Sequence, residues 1–178
     1  KEYRRQRQMC IRDRLYLVED AAQAFGTNRK GIFTGTFGDI GVFSFSPMKV
    51  IGGFGDGGAL VTKDLAIADR LRILRHCGTI NKEYCVSPES KHIMDAIHAS
   101  LLTLIIPHTE TIIEKRRKMA LYYVEHLRDL VSCPDLGQRN EHTAYDFPIR
   151  TTHRESLNDF LNSQGIESRI RHPLLVSN

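Results

Sequence analysis

Short apolar runs alternate with polar and glycine-rich segments in the first part of the chain. Residues 15–18 are wholly apolar, and residues 40–45 and 59–62 are two further, mainly apolar runs of strand length. Such short runs predict strands, and a wholly apolar run is typical of a strand buried in a parallel sheet. Glycines cluster at residues 52–58, which indicates a loop with special backbone angles or a close approach to another group.

Helical spacing dominates the middle of the chain. Asp64 is placed to cap a helix that ends before Gly78, and Pro107 is expected to interrupt the next helical stretch. Apolar residues recur every three or four positions on both sides of this proline, which predicts two amphipathic helices. The predicted stripes are Met94, Ile97, Leu101 and Leu104 on the first helix, and Ile113, Ala120, Tyr123, Leu127 and Leu130 on the second.

The last segment has a different pattern. Residues 145–150 predict a strand whose central proline favours a sheet edge, and residues 154–164 predict an amphipathic helix that Gly165 stops. Residues 166–170 then predict another strand. A strand–helix–strand order indicates a small α/β lobe after the helical region.

Charge and composition narrow the classes of function. The formal charge is +4, but residues 1–14 hold six Lys/Arg and two acids, and the remaining 19 basic and 19 acidic residues cancel. A basic face for nucleic acid is therefore not expected, and residues 1–14 are interpreted as a foreign or disordered arm. The sequence contains no run of about 18 apolar residues, so it does not predict a membrane span.

The four cysteines are widely spaced without a CxxC pair, and the histidines form no HxxxH or HExxH pattern. These spacings do not predict a metal site. Unpaired cysteines of this kind are typical of reduced thiols, so we expect a cytoplasmic protein.

Candidate chemistry is concentrated between residues 17 and 62. Asp20 ends an apolar run, Ser44 lies between two phenylalanines, and Lys49 precedes the glycine loop. A lysine on a turn between two apolar strands suits a fixed, reactive amine better than a core. Less specific readings remain for each residue: Lys49 as a surface lysine, Asp20 as a helix cap, and Ser44 as a donor to the strand backbone.

On these residues the chain resembles the DegT/DnrJ/EryC1/StrS family of sugar aminotransferases. The resemblance is carried by VEDAAQAFG, GTFGDIGVFSFSPMK, GGFGDGGALVT and LRILRHCG, and more loosely by MDAIHASLL. It implies an α/β protein of the aspartate-aminotransferase fold that uses pyridoxal 5'-phosphate (PLP) and forms a homodimer. The implied reaction is PLP-dependent transamination of a nucleotide-linked keto-sugar by an amino-acid donor, glutamate, in polysaccharide or antibiotic sugar biosynthesis.

The resemblance also implies roles for individual residues. Lys49 would form the Schiff base with the cofactor and then carry the proton between the substrate Cα and the cofactor. Asp20 would face the pyridine nitrogen and keep it protonated. Ser44 would donate to the phosphate, and Gln23 would pack over the ring or contact its hydroxyl. An exposed polar position is the plainer reading of Gln23.

The chain also departs from the family pattern. Lys91 stands where the family has an asparagine that reaches the phosphate of the partner subunit, and Ala96-Ile97-His98 replaces Glu-Ile-Gln. The N-terminal segment of the family, which supplies a helix N-terminus and a stacking aromatic, has no counterpart before residue 15. The chain therefore looks truncated at both ends.

These departures lead to a domain interpretation and two alternatives. Residues 15–106 would be an incomplete PLP-binding large domain, residues 107–133 a linking helix and residues 134–178 part of the small C-terminal α/β domain. A catalytically incompetent fragment, or a regulatory relative that binds PLP without turnover, is the main alternative. A sugar dehydratase of the same fold would carry histidine in place of the Schiff-base lysine, and Lys49 argues against it.

Overall fold

The structure is a computed structural model that describes residues 15–138 and 141–170. These residues form two compact units. The first contains the described residues up to Leu121 together with Leu136–Asp146, and the second contains Tyr122–Asp135 and the described residues from Phe147 onward. The domain boundaries proposed above stay predictions.

The described elements are short strands and longer helices. The strands are β1 (Val18–Asp20), β2 (Asn28–Arg29), β3 (Ile32–Phe33), β4 (Ile40–Ser44), β5 (Gly58–Val61), β6 (Thr79–Ile80) and β7 (Tyr84–Cys85). The helices are α1 (Leu65–Arg75), α2 (Ala96–Ile105), α3 (Thr109–Leu127) and α4 (Arg154–Ser163), with a 3₁₀ turn at Ile106–His108.

A three-stranded sheet in the order β1-β4-β5 organises the first unit. Strand β1 runs parallel to β4, with Asp20 opposite Val42, and β5 runs antiparallel to β4, with Gly58 opposite Ser44. Side chains alternate between the two faces of a sheet, so Asp20, Val42 and Ser44 share one face. This face is open, because every residue that β1, β4 and β5 present on it is exposed or half-buried.

The opposite face of the sheet carries the core. Phe43 and Phe45 are buried there, and the ring of Phe25 meets both edge-on at centroid distances of 5.2 and 5.6 Å. Ala21, Ile51 and Leu102 complete the buried cluster. Edge-to-face aromatic packing adds to the burial of apolar area, so this cluster fixes the sheet against α2.

Strand β1 differs from its prediction. The wholly apolar run at residues 15–18 was expected to be a buried strand, but Leu15 is 63% exposed and Tyr16 is 77% exposed. The strand begins three residues later, where Glu19 and Ala21 are the buried side chains. The prediction was wrong because Glu19, whose buried carboxylate accepts two backbone hydrogen bonds, looks in sequence like a solvent-facing residue.

Glu19 carries its charge on the buried face. Its Oε1 accepts from the N–H of Gly35 at 2.7 Å and its Oε2 accepts from the N–H of Phe37 at 3.0 Å. We expect Glu19→Ala to lower the free energy of unfolding by about 3 kcal/mol, because both backbone donors lose an ionised partner. Urea unfolding measures this change, with the exposed neighbour Asp20→Asn as the control. Equal stability of Glu19→Ala and the parent protein would contradict the assignment.

The helix boundaries confirm two predictions. The Oδ1 atom of Asp64 accepts from the N–H groups of Ala66 and Ile67 at 2.8 and 3.2 Å, which caps α1. Pro107 lies in the 3₁₀ turn that separates α2 from α3. Since proline lacks an N–H, the α-helical ladder changes there and resumes at Thr109.

The buried side of α2 was predicted wrongly. Ile97 and Leu104, which the predicted stripe placed inside, are 78% and 69% exposed, whereas His98 and Leu102 are buried. The residues of this helix are apolar on several of its sides, so the periodicity of the sequence does not indicate which side is buried. On α3 the predicted Ile113 and Ala120 are buried, but Tyr123 is exposed. Leu130, which was predicted on the same stripe, lies beyond the end of α3 and is also exposed.

In the part of the chain that the structure describes, the stretch Ala96–Leu127 is long and apolar enough, by length and composition alone, to cross a membrane. This is weak evidence, because the core helix of a water-soluble protein passes the same test. The stretch contains the break at Pro107, and His98 and Leu102 are buried beside the sheet. Of the most apolar window in this stretch, 17% is buried inside the described structure.

The second unit contains α4, the last six residues of α3 and irregular chain. Helix α4 confirms the helix predicted at 154–164, and Gly165 after it has a φ of +75°. The strands predicted at 145–150 and 166–170 are absent from the structure of these residues, where the pairing of Ser132 with Arg150 is an isolated bridge. Pro148 cannot donate to a ladder, which limits pairing on that side.

Candidate active site

Lys49 lies on a short, well-anchored turn directly after β4. Its backbone N–H donates to the carbonyl of Ser46 at 2.9 Å, and the two residues that follow, Val50 and Ile51, are buried. The N–H of Gly53 then donates to the carbonyl of Phe45 at 2.8 Å and closes the loop at its base. The turn therefore holds the lysine backbone at one place beyond the strand end.

Asp20 lies at the carboxyl end of β1, beside Val42 of the parallel strand β4. Its side chain is exposed on the open face, and its Oδ1 accepts from the N–H of Ala22 at 3.0 Å. The structure shows turns after Asp20 and no helix, so the helix-cap reading is wrong. A carboxylate at the end of a parallel strand occupies the place where ligands commonly bind in α/β sheets.

Ser44 shares the open face with Asp20. Its Oγ accepts from the N–H of Ser46 at 3.4 Å and lies 3.5 Å from the hydroxyl of that residue. The flanking Phe43 and Phe45 point to the opposite, buried face. Two hydroxyls thus lie together between the end of β4 and the turn of Lys49. The sequence analysis missed Ser46, although a serine two residues from Ser44 was a visible signal.

Gln23 is placed differently from the other three predicted residues. It lies in the turn after β1 and is exposed. Its backbone carbonyl accepts from Thr143 Oγ1 at 3.3 Å, so the contact involves the main chain and not the side-chain amide. The proposed side-chain contact of Gln23 with a cofactor ring stays a prediction.

A segment remote in sequence also reaches this region. Thr143 is buried where it donates to Gln23, and the Nζ of Lys49 lies 5.0 Å from the ring centroid of Tyr145. Ala144 between them has a φ of +50°, and its N–H donates to His142 Nδ1 at 2.9 Å. The edge strand predicted at residues 145–150 includes only the end of this segment. The approach of the segment to Lys49 was not predicted, because about 100 residues separate the two in sequence.

The glycine loop packs around a histidine of α2. A Cβ atom on Gly53 would overlap the ring of His98, and one on Gly57 would lie 3.0 Å from its Cε1. The ring is 7% exposed, and its Nε2 has no hydrogen-bond partner in the described parts of the chain. The close approach that these two glycines permit is therefore to an imidazole of the same protein.

Two other sequence features lie outside this group. Lys91 is exposed and pairs with His76 through an isolated bridge next to the end of α1. Across residues 15–138 and 141–170, no group of three or more His, Cys, Asp or Glu side chains is arranged to hold a metal ion. The candidate chemistry is therefore that of an amine, a carboxylate and two hydroxyls.

Comparisons with known proteins agree with the fold. The model of the DegT/DnrJ/EryC1/StrS aminotransferase family matches residues 2–177. A pleiotropic regulatory protein of Geobacillus stearothermophilus is 34% identical over 164 residues, which are 90% of this chain and 44% of that protein. The dTDP-3-amino-3,4,6-trideoxy-alpha-D-glucose transaminase of Streptomyces venezuelae is 33% identical over 172 residues, 96% of this chain and 45% of that enzyme.

A solved aminotransferase structure also resembles this chain. The crystal structure of S. venezuelae DesV in complex with a ketimine intermediate superposes with a TM-score of 0.90 at 32% identity, covering 96% of this chain and 47% of that chain. The chain thus spans about half the length of the relatives it matches. Its fold is that of the PLP-dependent aminotransferases. From the matched motifs, the shared fold and the extent of the family match, the chain belongs to the DegT/DnrJ/EryC1/StrS aminotransferase family.

Proposed function

We propose that the protein carrying this chain is a PLP-dependent aminotransferase that moves an amino group from an amino acid to a nucleotide-linked keto-sugar. The observation that carries the proposal is the position of Lys49, on an anchored turn directly beyond β4, whose Ser44 shares the open face of the sheet with Asp20 of the neighbouring strand β1. Aminotransferases of this family depend on PLP. The motif residues that implied the cofactor thus lie around one end of one sheet.

The residues present fit the cofactor by their chemistry. PLP carries an aldehyde, a ring nitrogen that works best when protonated, and a phosphate. Lys49 offers a primary amine, Asp20 offers an exposed carboxylate, and Ser44 and Ser46 offer two hydroxyls 3.5 Å apart. A lysine bonds to aldehydes, a carboxylate stabilises a cationic ring, and hydroxyls donate to phosphate.

Each residue has a distinct role in the proposed mechanism. When bound, PLP supplies an electron sink for the bond-breaking step at the substrate carbon. Asp20 orients the ring and compensates its positive charge. The hydroxyls of Ser44 and Ser46 hold the phosphate. The amine of Lys49, once free, would take the proton from the substrate Cα and deliver it to the cofactor carbon that carried the aldehyde. Arginine could not do this because it stays protonated.

The substrate class rests on the relatives. The S. venezuelae enzyme is named a transaminase of a dTDP-linked amino sugar, and a nucleotide-linked keto-sugar is the matching acceptor. Glutamate is the proposed amino donor, a homodimer the proposed assembly and the cytoplasm the proposed location, with products that enter polysaccharide or antibiotic sugar synthesis.

Covalent trapping tests the proposal. Incubation of the protein with PLP followed by borohydride should leave a stable adduct on a single lysine, Lys49, because reduction makes the bond between the amine and the cofactor permanent. Peptide mass spectrometry locates the adduct, and Lys63, which follows β5, serves as the internal comparison. Modification spread evenly over surface lysines would contradict the proposal.

A regulatory protein that binds PLP without turnover is the second candidate, because the G. stearothermophilus relative is named a pleiotropic regulatory protein. Trapping at Lys49 is common to both functions. Conversion of bound PLP to its amine form by an added amino acid, followed by ultraviolet–visible absorption, distinguishes them. A transaminase makes this conversion, and a binding protein does not.

A further inference from the structure

The segment that contains Tyr145 is held in place by contacts on two sides. At its start, the guanidinium of Arg117 in α3 donates to the carbonyls of Leu136 and Gly137, each at 2.7 Å. Further along, the buried Thr143 donates to the carbonyl of Gln23 in the turn after β1. These anchors lie in different elements, so the position of Tyr145 is set by the fold and not by local sequence.

The contact between Tyr145 and Lys49 has the geometry of a cation–π interaction. The Nζ of Lys49 lies 5.0 Å from the ring centroid, inside the range of about 6 Å in which a ring face attracts an ammonium. Both residues are half-buried, so the interaction is less screened by water than one on an open surface. The ring attracts the charged amine and has little attraction for the neutral one.

We propose that Tyr145 is a positioning residue for Lys49: the face of the tyrosine ring holds the lysine ammonium in place at the end of β4. This inference rests on the proposed function, in which Lys49 alternates between a free amine and a bond to the cofactor. The free amine becomes an ammonium when it accepts the substrate proton, and the ring stabilises it in that state. The segment 142–146 thereby becomes a further wall of the site, contributed by residues far along the chain.

The inference is tested on the protein without cofactor, so that the readout does not depend on turnover. Acetic anhydride reacts with neutral amines, and peptide mass spectrometry gives the labelling rate of each lysine at fixed pH. Five forms of the protein are compared: the parent with Tyr145, the Tyr145→Phe variant, and three variants that carry phenylalanine with one, two or three ring fluorines at this position. Fluorination weakens the attraction of the ring for a cation with almost no change in shape.

The expected result is a graded one. The Lys49 labelling rate stays within about two-fold of the parent for Tyr145→Phe, and rises steadily with fluorination to about five-fold. A role limited to packing would leave the rate flat across the fluorinated series, because all members fill the same volume. A flat series overturns the inference.

Two controls separate this outcome from general effects. Lys63, which donates to the carbonyl of Thr36 at 3.5 Å, should label at one rate in every variant. Tyr84 in β7 is 70% exposed, and Tyr84→Phe is the matched control for the loss of a tyrosine hydroxyl. Covalent trapping at Lys49 is scored separately: a flat fluorine series with intact trapping rejects only Tyr145, whereas failed trapping rejects the proposed function.

Discussion

Lys49→Ala is expected to abolish the covalent capture of PLP and to lower turnover by about 10³- to 10⁴-fold. The substitution removes the only group at the strand end that is proposed to bond the cofactor and to carry the substrate proton. The turn itself should survive, because it is held by backbone hydrogen bonds and by the buried Val50 and Ile51. The visible absorption band of lysine-bound PLP and the steady-state rate with a keto-sugar substrate measure the two losses.

Two variants make the result specific. Lys49→Arg keeps the positive charge but cannot release a proton, so it should be as inactive as the alanine variant. Lys63→Ala removes a lysine outside the candidate site and should leave the absorption band unchanged. If Lys49→Ala retains both the band and more than a tenth of the turnover, the assignment of the lysine is wrong.

Gly53→Ala is expected to lower the free energy of unfolding by about 2–3 kcal/mol, the upper part of the range for overpacking a tight interior. A Cβ atom at this position overlaps the buried ring of His98, which has backbone and core around it and little room to move. The clash should also weaken the hydrogen bond from the N–H of Gly53 to the carbonyl of Phe45, which closes the loop after Lys49. Urea unfolding measures stability, and PLP titration measures the effect on the site.

The same loop offers a matched control. A Cβ atom on Gly55 would meet only the Nδ1 of His98 at 3.9 Å, an ordinary contact, so Gly55→Ala should change stability by less than about 0.5 kcal/mol. In the double variant Gly53→Ala/His98→Ala the clash is removed, and the two substitutions should show favourable coupling of at least about 1 kcal/mol. Additive losses would show that His98 is not the group that restricts Gly53.

The elements predicted with most success were those whose signals are local. Strand β4 follows from an apolar run between turn residues, the start of α1 from the side chain of Asp64, and the break before α3 from the missing N–H of Pro107. Each of these depends on groups a few residues apart. A single sequence contains all the information needed for them.

The wrong predictions concern which side of an element is buried. Helix α2 is apolar on several sides, so its spacing did not show that His98 faces inward and Ile97 outward. Glu19 was overlooked because its partners, the N–H groups of Gly35 and Phe37, belong to a loop beyond the next turn. In both cases the choice depends on what packs against the element, which periodicity does not record.

The sequence by itself indicated the family and its cofactor, and it supplied the candidate site residues: an amine, a carboxylate and a serine in specific motifs. Only the tertiary structure decided which further groups join them. The pairing of β1 with β4 places Asp20 and Ser44 on one face, the packing of His98 explains the glycines after Lys49, and the anchored segment brings Tyr145 to the amine. The physical reason is that motif residues are close in sequence, whereas these contacts arise from chain closure over tens of residues and from burial of one face of the sheet.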